Sequence, residues 1–120
     1  NLFRELFILL GKAQSKKQLS KVADELFTVT EKIMLAKRLA IILMLESNIP
    51  QHKVVDILKM SPTTVSKISL GIEIGKYRSI LMISKKESIN LEKIVWGILT
   101  AGGLMPPKVG EKYWKKYSKK

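Results

Sequence analysis

The stretch that most constrains this chain is PQHKVVDILKMSPTTVSKISLGI, residues 50–72. It reads as two short helices joined by a tight turn. In the first, from about residue 50 to 59, Val54, Val55, Ile57 and Leu58 recur at helical spacing. The second opens at Ser61-Pro62. A serine hydroxyl can accept from the free N–H groups of a first turn, and proline at the first helical position forfeits no hydrogen bond. Val65, Ile68 and Ile72 then form one buried stripe at i, i+3 and i+7. Pro62, Thr63, Ser66 and Lys67 are left facing outward. Small residues, hydroxyls and one cation suit an approach to base edges and phosphates in a major groove. The competing possibility is an ordinary pair of core helices that binds nothing.

Charge points the same way. The chain has 120 residues and a formal net charge of +12, so polyanions are its natural partners, nucleic acid or an anionic membrane surface. Its longest apolar run, LAIILML at 39–45, is seven residues, whereas a spanning helix needs about 20. A soluble, cytoplasmic protein is expected. The start, Asn1-Leu2 with Arg4 and Glu5, does not resemble a signal peptide, and the absence of an initial Met leaves room for residues upstream. No cysteine is present, which excludes disulfides and cysteine-based metal sites, and the single histidine, His52, has no second histidine to share a metal. A solvated His52 is expected. At 46% apolar, a chain of this length suits one domain with a modest core.

In chain order, NLFRELFILLGKA at residues 1–13 is strongly apolar, and its leucines and phenylalanines would cover more than one face of a helix. It is either a dimer interface, the favoured reading, or a cap on its own core. Ser15 can cap a second helix to about Leu26, with Leu19, Val22, Ala23 and Leu26 as its buried stripe and Lys16, Lys17 and Lys21 opposite. Those lysines form a solvated face, at most adding phosphate contacts. Thr28-Val29-Thr30-Glu31 is a capping box for a third helix to about Glu46. From Leu39 onward that helix is apolar nearly all round, so it must be central or shared between two subunits. Lys37 and Arg38 are either exposed cations or a basic contact toward phosphate or a small acid.

Ser47-Asn48-Ile49-Pro50 ends the third helix, and the helix from Pro62 should stop between Gly71 and Gly75. YRSILMIS, residues 77–84, is compatible with a short helix or an extended piece. Asn90 caps LEKIVWGILTA, with Leu91, Ile94, Val95, Ile98 and Leu99 inward and Trp96 as packing. From Leu104 the tail holds six lysines against one glutamate, with Tyr113, Trp114 and Tyr117 interleaved among Lys112, Lys115 and Lys116. Such a mixture can grip a nucleic-acid backbone, or it can be a solvating tail pinned by its aromatics.

The segments LFTVTEKIMLAKRLAII and VVDILKMSPTTVSKIS, with LFRELFILL before them, resemble the Trp repressor superfamily, especially its small Trp-repressor-related members. The resemblance covers roughly the first 75 residues, about three fifths of the chain. The helix carrying TVTEKIMLAKR, at its distance before the helix-turn-helix, is the more discriminating part. The resemblance implies an all-α fold, an intertwined homodimer and operator binding. The expected organisation is a dimerisation and helix-turn-helix region over 1–75, an added helical segment over 76–103 and the basic aromatic tail over 104–120.

In Trp repressors two arginines hold the amino acid between the central and recognition helices. By that resemblance Arg38 matches the first, and Thr28 matches a threonine at the start of the same helix. The second arginine is replaced by Lys67, which lacks the planar fork that stacks on an indole and grips a carboxylate at two points. Ile68 stands where the family has glycine, and Gly71 replaces a polar pocket residue. A β-branched Ile68 would either project into the indole space or be buried as core. L-tryptophan is therefore not expected as a ligand, and no cofactor is implied.

The reading that gathers these features is a sequence-specific regulator of double-stranded DNA that uses helix 62–72 in the major groove. Pro62, Thr63, Thr64, Ser66 and Lys67 would contact DNA, joined by Lys53 and by Lys112, Lys115 and Lys116 of the tail. Within that set Thr64 would reach a phosphate near the helix start. The alternative is a basic module that coats nucleic acid or binds a partner without reading sequence. An enzyme is not implied, since the chain has no Gly-rich phosphate loop, metal cluster or nucleophile–histidine pair.

Overall fold

The computed structural model describes residues 1–101. Among them are seven helices and no strand: α1 (Arg4–Gly11), α2 (Lys16–Leu26), α3 (Val29–Glu46), α4 (Gln51–Leu58), α5 (Pro62–Glu73), α6 (Arg78–Lys86) and α7 (Leu91–Ala101). The fold is all-α, as expected. No described helix is long and apolar enough to cross a membrane. The chain divides into two compact units, residues 1–34 and residues 35 onward, with the division inside α3.

The first unit is well specified locally. Ser15 Oγ accepts the Gln18 backbone N–H at 3.1 Å, and the Gln14 N–H donates to Gln18 Oε1. The capping box forms in both directions: the Glu31 N–H donates to Thr28 Oγ1 at 3.1 Å and the Thr28 N–H to Glu31 Oε1 at 2.9 Å. Lys32 pairs with Asp24. Yet α1 and α2 contain no buried residue. Phe7 is 63% exposed, and Leu2, Phe3 and Leu9 are exposed with it. The stripe expected to be buried on α2 is not: Val22 and Ala23 are half-buried, Leu19 and Leu26 exposed. Amphipathic patterning chooses which face turns inward, but a unit this small has too little surface to close over that face.

The second unit holds the core. Five consecutive residues of α3, Ala40 through Met44, are buried, so this helix is covered on every side, as its all-round apolar sequence requires. They pack with Ile49, with Val54, Ile57 and Leu58 of α4, Val65 and Ile68 of α5, Tyr77, and Val95, Ile98 and Leu99 of α7. The α3–α4 corner closes on Asn48 in the left-handed region (φ 68°), with the Ile49 N–H donating to the Met44 carbonyl at 3.1 Å. That is the helix stop expected there. The segment after Tyr77, which the sequence left open between helix and extended chain, is helical. Asn90 caps α7, its Oδ1 accepting the Lys93 N–H at 3.0 Å, and α7 lies against α4. Trp96 is half-buried. An open groove of 690 Å³ remains between the ends of α3 and α5, α6 and the start of α7, lined by apolar residues such as Leu43, Ile72 and Leu81 and by polar ones such as Glu46, Arg78 and Lys85.

Candidate nucleic-acid interface

Helices α4 and α5 pack on each other across a three-residue turn, Lys59-Met60-Ser61. Lys59 takes the left-handed conformation (φ 56°, ψ 47°), and the Met60 N–H donates to the Val55 carbonyl at 3.3 Å. Nothing in the sequence flagged Lys59 for that role, since glycine or asparagine is the usual occupant. The α5 start is built as its residues dictate. The Thr64 N–H donates to Ser61 Oγ at 3.1 Å, and the Ser61 hydroxyl donates to Thr64 Oγ1 at 2.9 Å. Pro62 occupies the first turn.

Val65 and Ile68 are fully enclosed, as the stripe predicts. Its third member, Ile72, is only half-buried, and Gly71 is buried instead. The cause is Tyr77, whose ring lies on the α5 backbone. A Cβ built at Gly71 would stand 2.6 Å from Tyr77 Cε2. Lys76 Nζ sits 5.6 Å from the same ring's centroid. Helix α5 ends with the Lys76 N–H donating to the Gly71 carbonyl at 2.8 Å and with Gly75 at φ 78°, inside the expected interval. Tyr77 thus fixes where α5 ends, a role legible only once α6 is in place.

Pro62, Thr63, Ser66 and Lys67 all lie exposed on α5, so the structure brings these four together. Thr64 is half-buried and its hydroxyl oxygen already accepts from Ser61, which leaves its proton to donate. Lys53 is half-buried on α4. Lys112, Lys115 and Lys116 lie outside the described residues. Beyond the expected contact residues, two large apolar side chains also stand in solvent here: Leu70 of α5, 58% exposed, and Ile74 at its C-cap, 72% exposed. Helical spacing from Thr63 would have found both.

Arg38 is exposed on α3. Ile68 is 2% exposed, so the structure selects the core position for it. Among the described residues no group of three His, Cys, Asp or Glu is placed to hold a metal ion. A chemical site made of a hydroxyl-rich, cationic helix face backed by a rigid apolar stripe can bind an edge-on polyanion. It offers no nucleophile activated by a neighbouring base.

A family model described as Trp repressor protein matches residues 1–86, which leaves α7 and the tail outside the match. No curated protein and no solved structure matches the chain.

Proposed function

The chain belongs to the Trp repressor family, and from that premise we propose that it is a sequence-specific double-stranded DNA-binding transcriptional regulator that acts as a homodimer in the cytoplasm. The observation that carries this reading is the face of α5. Thr63, Ser66 and Lys67 stand in solvent while Val65 and Ile68 anchor the opposite side. A helix held that way can enter a major groove without disturbing its core. Lys67 is the principal base or phosphate contact, Thr63 and Ser66 flank it, and Thr64 donates to a phosphate near the helix start. Lys53, Lys112, Lys115 and Lys116 add backbone contacts that carry affinity but no sequence information.

Dimerisation is supported by the first unit, where the apolar α1 and the amphipathic α2 have no buried residue within one chain, and by the open groove beside α6. In a two-fold dimer the two α5 helices would meet half-sites about one DNA turn apart, roughly 34 Å. Residues 1–75 would supply dimerisation and the helix-turn-helix, 76–103 a buttress, and 104–120 a basic arm. L-tryptophan is not the effector on this reading. The buried Ile68 and the lysine at position 67 both oppose an indole carboxylate ligand.

The test is selection of duplexes from a random pool at physiological salt, with excess random DNA as competitor. A regulator retains a preferred near-palindromic site, and Lys67→Ala weakens that site by about 1–3 kcal/mol. The net charge of +12 favours, as a second reading, a module that coats nucleic acid without reading it. Recovery of no consensus would establish that reading in its place.

A further inference from the structure

The outward face of α5 has two chemistries. Thr63, Ser66 and Lys67 are polar, and the next residue on the same arc is Leu70, 58% exposed. At about 100° per residue, Leu70 falls within roughly 20° of Thr63 and between Ser66 and Lys67 in direction. It lies on the side of the helix opposite the buried Val65 and Ile68. The advance from Thr63 to Leu70 is roughly 10 Å, about three base-pair steps for a helix lying along a major groove.

A leucine among the hydroxyls and the cation of this arc, with the exposed carboxylate of Glu73 one turn beyond, has one complementary group on a DNA major-groove edge, the C5 methyl of thymine. All other groups presented there are hydrogen-bond donors or acceptors. We propose that Leu70 is a specificity residue that packs on a thymine methyl about three base pairs from the pair contacted by Thr63. The proposal rests on α5 being the reading helix, and the experiment separates the two claims.

Duplexes selected by the wild-type chain from a random pool are resynthesised with deoxyuridine in place of thymidine, one position at a time. Uracil pairs as thymine does and lacks only the methyl group. The expected result is a loss of about threefold to fivefold at one pair per half-site. Leu70→Ala, with unchanged helical content by circular dichroism and unchanged binding to random duplex, should lose that sensitivity and relax selection at that pair alone. A selected site that tolerates uracil at every thymine overturns the inference and leaves the regulator reading standing. Uracil sensitivity that persists in Leu70→Ala also overturns it, assigning the methyl contact to another residue. Recovery of no selected site overturns both.

Discussion

Residues 1–34 and residues 35–101 use the same materials to opposite ends. Both are helical, carry apolar helix faces and are capped at α2, α3, α5 and α7 by the residues expected to cap them. The second unit encloses a core drawn from α3, α4, α5 and α7, whereas α1 and α2 of the first enclose nothing. Local signals are therefore sufficient to form helices and insufficient to stabilise a unit. What separates the two is the number of elements available to cover each apolar face, since burial and not propensity supplies most of a helix's stability. On the proposed reading, the first unit is the element that a partner copy would stabilise, and the second is the scaffold under the outward face of α5.

The sharpest break of this contrast is a charge in the first unit. Phe7→Glu should convert the proposed dimer to a 13.6 kDa species in sedimentation. It should also lower affinity for a two-half-site duplex by about 10²–10⁴-fold, because the second half-site is no longer tethered. The wild-type melting temperature should rise with protein concentration, and that of Phe7→Glu should not. A monomeric wild type at micromolar concentration would sink the partner role given to the first unit.

Next comes truncation in the second unit. Ile42 is fully buried, and Ile42→Ala should cost about 2–5 kcal/mol in denaturant unfolding whatever the protein concentration. A concentration-dependent loss there would mean that the second unit, too, depends on a partner.

Smaller effects sharpen the account of the scaffold. Gly71→Ala places a methyl group against the Tyr77 ring and should cost about 1–3 kcal/mol. Tyr77→Leu in the same chain should recover part of that loss, a coupling that a double-mutant cycle measures directly. Independent effects would detach Tyr77 from the end of α5. Smallest is Lys59→Gly, which relieves a left-handed lysine but frees the unfolded chain. The net should be a gain of about 0.5–1 kcal/mol, read as a raised urea midpoint with an unchanged slope. A loss would mean that the lysine side chain contributes a contact worth more than the backbone strain.

Much of the candidate site could be read directly. Ser61, Pro62 and the exposed set of Thr63, Ser66 and Lys67 follow from cap chemistry and a helical period, both of which act within a few residues. Leu70 follows from the same period, but an apolar side chain carries no sign in sequence of whether it faces core or solvent. For the tail, with Lys112, Lys115 and Lys116, composition speaks to charge and leaves position undecided.

The sequence by itself determined the capped starts of α2, α3, α5 and α7, the turn between α4 and α5, the all-round apolar character of α3 from Leu39 to Leu45, of which Ala40 to Met44 are buried, and the basic character of the chain. These are properties of contiguous residues, set by backbone hydrogen bonds and periodicity. Only the tertiary structure decided between core and pocket for Ile68, and between helix and extended chain for the segment after Tyr77. It alone replaced Ile72 by Gly71 in the buried stripe and left the α2 stripe uncovered. Each of those outcomes depends on what a distant element brings to the same space: the ring of Tyr77 on α5, α7 against α4, or, for α2, no covering element within its unit. Burial is a property of the set of neighbours, and a residue's neighbours across the fold are not written in its own stretch of chain.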